Sequence, residues 1–465
     1  MKKLFCGGTI VTEEGSIQAD LLVDGGKVLA LGKDLPLEGA ERINCQGKVI
    51  LPGAIDVHTH FDLKVGTGRA VDDWYRGTVA AACGGTTTVV DHIAFAPQGS
   101  TPRQALEVYH NDERTGLADG KAVIDYGLHG VLGPHDEEHF STLGQLAQEG
   151  VTSFKIYLTY DDRLSDELAF KVLQVAKKEN LTVPVHCENH GTLTTLRQQF
   201  IAQGKNKPID HAYSRPNDCE AEAVARYLKL AHMAGDANAY IVHLSTAEGL
   251  AEIDAAKAAG QKNILVETCP QYLLLDESLY QADDGIKYVM SPPLREKKDC
   301  EALWQGLADG RIDILATDHC PFLYSDKLSK GKDDFTRCPN GAPGVEERLL
   351  LAWSEGVAKG RISPERCVQV CCTNPAKAFG LWPQKGSLLP GSDADLVILD
   401  PHGQTRLTHE KAHTACDFIS YEGFLCSGSI EQVYSRGELI CDKGTFCGQK
   451  GAGRYLARKT NSLAR

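Results

Sequence analysis

The sequence predicts an α/β protein: a (β/α)8 barrel beside a small β-sandwich built from both chain ends. Three observations point there. Short apolar, β-branched runs alternate with helix-length segments through the middle of the chain. Hairpin-like β texture occurs at both ends and nowhere between. A chain of 465 residues is long for one ordinary domain, but it suits an α/β barrel with additions.

Residues 1–52 read as the first part of the sandwich. The runs are Thr9 to Thr12, Asp20 to Val23 and Lys27 to Leu31, and Asp24-Gly25-Gly26 is a hairpin signal between two of them. Residues 53–380 carry eight apolar runs: Ile55 to His60, Thr86 to His92, Ala122 to Gly130, Val151 to Tyr157, Thr182 to His186, Ala239 to Ser245, Asn263 to Thr268 and Ile312 to Asp318. Runs apolar throughout suit parallel strands covered on both faces. Intervening stretches such as Asp166 to Glu179 and Ala221 to Ala234 have helical length and spacing. Residues 381–447 return to β texture in Ala394 to Asp400 and Gln432 to Ile440, and pairing with the first segment would bury the apolar face of each. Residues 448–465 hold five Lys or Arg and no acid, and read as a basic, solvated tail.

Composition excludes several classes. With 62 acidic against 49 basic residues the net charge is −13, which argues against nucleic acid as a partner. No run approaches the ~18 apolar residues of a membrane span, and Met1 to Gly8 lacks the apolar core of a secretion signal. Sixteen cysteines are scattered without a Cys-x-x-Cys motif. They read as reduced, buried thiols in a cytoplasmic protein.

In such a barrel, reactive groups gather at the C-terminal strand ends. The first run ends Asp56-Val57-His58-Thr59-His60, and alternate strand residues share a face, so both imidazoles can reach one metal ion. One His-x-His is weak evidence by itself. However, His186, His243 and Asp318-His319 fall at three further strand ends, and Lys155 lies in the fourth run. Two glycine-rich stretches, Asp24-Gly25-Gly26 and Gly66-Thr67-Gly68, complete no phosphate-binding fingerprint and read as turns.

Together with Ser153-Phe154-Lys155, Val185-His186-Cys187-Glu188-Asn189, Val242-His243-Leu244-Ser245, Ser291-Pro292-Pro293-Leu294-Arg295, Thr317-Asp318-His319-Cys320 and Cys338-Pro339-Asn340-Gly341, these motifs resemble the hydantoinase/dihydropyrimidinase branch of the cyclic amidohydrolases. The likeness runs through nearly the whole chain. It implies an enzyme with two divalent ions per subunit, zinc by family habit, with manganese or cobalt acceptable to the same donors. It implies that His58, His60, Lys155 and Asp318 hold one ion, and Lys155, His186 and His243 the other. Lys155 would be carbamylated by CO2, because an ammonium cannot bind a cation whereas a carbamate can bridge two.

Further roles follow from the same resemblance. Asp318 would also move the proton of the attacking water, and Tyr160 would donate to the developing oxyanion. Ser291 and Asn340 would recognise the substrate's amide edge through main-chain groups. A homotetramer is the family's usual assembly, which would let the basic tail reach over a neighbouring subunit. The loop after His60, Phe61 to Arg69, departs from the dihydropyrimidinase pattern. Phe61, Phe95 and Leu158 are candidates either for an apolar pocket or for packing the loops together; on the pocket reading the expected reaction is D-selective opening of a 5-aryl or 5-alkyl hydantoin to an N-carbamoyl amino acid. Dihydropyrimidinase and allantoinase activities are alternatives, as is a non-catalytic scaffold of the same fold, which the intact ligand set disfavours. His319 is expected to support the site from behind, His92 to pack, and Cys187 and Cys320 to fill space.

Overall fold

The computed structural model describes residues 2–36, 38–65, 68–109 and 116–461. Eight parallel strands form the barrel: Ala54–Thr59, Thr86–His92, Asp125–Val131, Phe154–Tyr157, Thr182–His186, Asn238–Ile241, Ile264–Thr268 and Ile314–Leu315. They pair in chain order from first to eighth. Closure comes from Thr59 bridging His319, with His60 N donating to His319 O (2.9 Å) and His319 N to His58 O (3.3 Å). All but one of the residues in these strands are buried, as parallel strands between helices require.

The sequence places each strand within a few residues but overextends several. The sixth ends at Ile241 rather than Ser245, and the eighth at Leu315 rather than Asp318. The backbone explains this. His243 (φ 39°) and Asp318 (φ 54°) adopt left-handed conformations that cannot continue a ladder. Both residues therefore stand just past the strands, on the rim. The helix Asp166–Glu179 lies where expected, capped by Ser165 on Leu168 N and ended by Asn180 in the left-handed region.

The chain ends join in one nine-stranded mixed sheet. Its centre pairs Val49–Pro52, which leads into the barrel, antiparallel with Leu396–Arg406 and parallel with Lys3–Val11. The sandwich is this sheet curled onto itself. Phe5 and Tyr434 are not on adjacent strands, yet their rings meet edge to face at 5.0 Å over a shared apolar core. The predicted hairpin is present between Ser16–Asp24 and Lys27–Gly32, with Gly25 (φ 57°) and Gly26 (φ 80°) taking the positive angles its turn needs.

The basic tail differs from the expectation of a free or reaching arm. Arg454 N donates to Asp125 Oδ1 (2.9 Å), Leu456 N to Tyr126 O (2.7 Å) and Arg458 N to Gly150 O (3.1 Å). Leu456 and Arg458 are buried against this chain's own barrel, at the end opposite the strand C-termini. A buried cluster fastens the same junction. Lys385 Nζ meets Asp125, Asp395 and Asp393 at 2.5, 2.8 and 3.0 Å, joining barrel and sheet, and Arg436 adds a second cation at Asp125. Among the described residues no helix is long and apolar enough to cross a membrane. The described cysteines form no disulfide, and all but Cys447 are buried, Cys187 and Cys320 among them. Residues Gly66 and Thr67 of the loop read as a turn lie outside the described residues.

Candidate active site

The first strand turns alternate side chains to one face, and His58 and His60 therefore meet at the barrel mouth with ring centroids 5.2 Å apart. His186 ends the fifth strand, and its ring lies 4.6 Å from that of His243, which in turn stacks 5.5 Å from His58. Asp318 Oδ1 reaches both His58 Nε2 (3.1 Å) and His60 Nε2 (3.0 Å). Lys155, on the fourth strand, is buried with its Nζ 5.3 Å from the Tyr157 ring centroid. Six residues from five strands thus converge at the barrel mouth.

The electrostatics are those of a site built for a cation. Burial drives His60 and His243 down, His243 far down, so both stay neutral with lone pairs free. Burial acts on His58 too, but the carboxylates of Glu267 and Asp318 outweigh it and push the ring up to about 9. Burial would raise Asp318, yet His58 and His60 hold it well below the usual carboxylate range. Burial brings Lys155 down to about 8, partly opposed by Glu267 and Asp318. Among the described residues, ring nitrogens His60 Nδ1 and His243 Nδ1 are buried without a hydrogen-bond partner. Buried polar atoms without partners call for an ion or water, and imidazoles with one carboxylate suit a divalent metal.

His92, expected to pack rather than to contact substrate, is fully buried among the histidine rings. Its ring lies 4.4 Å from His58 and stacks on His129 at 4.4 Å, and neither of its nitrogens has a partner. Nitrogens of His58, His60 and His92 all fall within 4.8 Å of one another. The register of His92 sets it opposite His129, one residue past the Thr59–Asp91 pair. His319 does turn away, as expected. Its Nε2 faces Asp72 Oδ2 (3.0 Å), while Nδ1 accepts from Gly344 N (3.1 Å).

Tyr160 projects over the cluster from the loop after the fourth strand, its ring 5.1 Å from His186. Its backbone is left-handed (φ 70°), a conformation kept where surroundings enforce it. Arg163 Nη1 on the Tyr160 carbonyl (2.8 Å) does so, and burial raises the phenol to about 12, keeping it a donor. Ser291 lies beside the phenol, and Asn340 Oδ1 is buried without a partner among the described residues. Around Ser291 the carbonyls of Val289, Met290 and Pro292 are all claimed, by Gly341 N, His211 Nε2 and Tyr272 OH. Among the described residues nothing claims the backbone N–H or carbonyl of Ser291 or of Asn340.

Phe61 does not line a pocket. It is fully buried between Trp74 (5.5 Å) and His319 (5.6 Å), under helix residue Gly77, where an added Cβ would come within 2.2 Å of the ring. Phe95 remains beside the mouth, 5.5 Å from Tyr157, which itself lies 5.9 Å from Tyr160. An aromatic wall of Phe95, Tyr157 and Tyr160 takes the place of the expected trio, and Leu158 is buried behind it.

Two carboxylates escaped the sequence reading. Glu267 accepts from His58 Nδ1 (2.7 Å), His243 N (2.9 Å) and Tyr240 OH (2.7 Å). Glu188 meets His186 Nε2 at 2.7 Å and is held by the Arg215 guanidinium. Each fixes a ring so that its other nitrogen faces the cluster. A signal was available: both are charged residues inside, or just after, otherwise apolar barrel strands.

Residues 49–440 match the model of the amidohydrolase family. Over 99% of this chain and 98% of theirs, a D-phenylhydantoinase of Escherichia coli O127:H6 (strain E2348/69 / EPEC) is 47% identical. A dihydropyrimidinase from Brevibacillus agri NCHU1002 superposes with a TM-score of 0.96 at 42% identity, covering 100% of both chains. A D-hydantoinase from a Bacillus sp. AR9 superposes with a TM-score of 0.94 at 41% identity, covering 98% of this chain and 99% of that one. The chain belongs to the amidohydrolase family, on its hydantoinase and dihydropyrimidinase branch.

Proposed function

We propose that this amidohydrolase is a binuclear metal enzyme that opens a 5-aryl- or 5-alkyl-substituted hydantoin to an N-carbamoyl amino acid, with D selectivity. The observation that carries it is the convergence of His58, His60, Lys155, His186, His243 and Asp318 around ring nitrogens that lack partners. His58, His60, Asp318 and Lys155 would hold one ion, and His186, His243 and Lys155 the other, with Lys155 carrying a carbamate made from CO2. Zinc suits these donors, and manganese or cobalt would also be accepted. When bound, the ions supply an activated water near neutral pH and polarise the carbonyl under attack.

The chain's own groups do the rest. Asp318, partly exposed at the mouth, takes the proton of the attacking water and returns it to the ring nitrogen as the C–N bond breaks. The Tyr160 hydroxyl donates to the carbonyl oxygen as charge builds there. The free backbone groups of Ser291 and Asn340 hold the amide edge of the ring. Phe95 and Tyr157 support the reading of an apolar 5-substituent. The withdrawal of Phe61 from that surface favours a second reading, in which an unsubstituted dihydropyrimidine ring is also accepted.

Buried, unpaired thiols support a reducing, cytoplasmic setting, and the family likeness supports a homotetramer. Ring opening of D- and L-phenylhydantoin, dihydrouracil and allantoin, followed in parallel with zinc-loaded enzyme, tests the proposal. It predicts fastest turnover of D-phenylhydantoin. Fastest turnover of allantoin would refute the pocket, and no turnover of any ring would refute the substrate class.

A further inference from the structure

Lys327, on the helix Tyr324–Gly331, is fully buried, and among the described residues no carboxylate lies within ion-pair distance of it. A buried ammonium without a counter-charge is costly and is retained only where its hydrogen bonds matter. Its Nζ donates to Val289 O (2.7 Å) and to Pro339 O (2.8 Å). Those carbonyls stand two residues before Ser291 and one before Asn340. They belong to two separate segments, one after the seventh barrel strand and one after the eighth. Gly341 N also donates to Val289 O (3.1 Å), so one carbonyl ties all three elements together. The helix is wedged against both segments: a Cβ on Gly331 would come within 2.6 Å of Cys338 Cβ and 2.9 Å of Ile286 Cδ1.

We infer that Lys327 is a positioning residue that sets the spacing between the Ser291 and Asn340 backbone groups, and with it the grip on the cyclic amide edge. The inference rests on the assignment of those two groups to substrate recognition. Lys327 does not touch the metal cluster, so the clamp governs binding of the ring rather than the bond-breaking step.

Lys327→Met keeps the length of the side chain and removes its donors. With metal content equal to wild type, KM for the preferred ring rises on the order of tenfold or more while kcat stays within about threefold. Lys327→Gln, which keeps two donor protons, falls between the two and serves if the Met variant does not fold. Hydrogen exchange at residues 286–293 and 338–342 rises in the variant, and exchange elsewhere in the barrel does not. An unchanged KM, or a fall in kcat and metal content at constant KM, would overturn the clamp. So would unchanged exchange, a readout that holds even if the wild-type enzyme opens none of the rings; that failure would overturn the substrate reading instead.

Discussion

Glu267→Gln isolates the charge behind His58. The side-chain amide fits the same space: its oxygen can accept from His58 Nδ1 and His243 N, and its nitrogen can donate to the Tyr240 hydroxyl. Shape and hydrogen-bond count survive, and only the negative charge is lost. That charge is the foremost of the two that hold His58 up at about 9 against its burial, so without it the ring becomes a weaker donor. Loss of an outer carboxylate of this kind costs about 10–100-fold in metal affinity, or ~1.4–2.8 kcal/mol. The assay is competition between metal-free protein and a chromophoric chelator, read as two stepwise dissociation constants. Glu188→Gln is the companion, because it acts on His186 rather than His58. Each variant should weaken a different step. Dissociation constants within about threefold of wild type for both would refute the argument that these carboxylates tune the cluster.

Other predictions bear on catalysis and on the frame that carries it. Tyr160→Phe should keep both the fold and the bound metal while kcat drops by roughly 10²–10³-fold, as loss of an oxyanion donor does; steady-state kinetics with metal analysis checks it. Lys385→Met removes the cation that Asp395 pairs with, while Asp125 keeps Arg436 and Asp393 keeps Lys27; breaking a buried pair in this way costs about 3–5 kcal/mol, so thermal unfolding should begin ~3–5 °C lower for a chain of this length. Limited proteolysis should leave the tail intact through Arg458, since its backbone is bonded to the barrel, and deletion of residues 450–465 should lower the unfolding temperature further than removal of a solvated tail would.

The barrel was legible because parallel strands covered on both faces must be apolar from end to end, and eight such runs leave little choice of fold. The clustered histidines, Lys155 and Asp318 stood out because strand ends are where the fold exposes chemistry. Asp318 and His243 were found even though the strands stop short of them, since a left-handed residue on the rim leaves no mark in an apolar pattern. Glu267, Glu188 and Lys327 were missed for a different reason. Their partners are 209, 2 and 12 or more residues away in the chain, and a lone charge in a buried segment does not say which atom it will meet. The place of Phe61 beside His60 is compatible with pocket lining and with loop packing alike. Only the packing of Trp74 and Gly77 shows that the loop turns it inward. The tail looked solvated by charge alone, while the apolar Leu456 between its cations is what anchors it.

The central claim is a pair of ions bridged through Lys155. Metal-free enzyme reconstituted with zinc, with and without bicarbonate, tests it most directly through bound zinc per chain and the mass of the peptide containing Lys155 under native conditions. The account predicts two equivalents with bicarbonate, fewer without it, and an added carboxyl group on Lys155 that Lys155→Ala abolishes together with activity. Two equivalents bound and full activity in the alanine variant would contradict it.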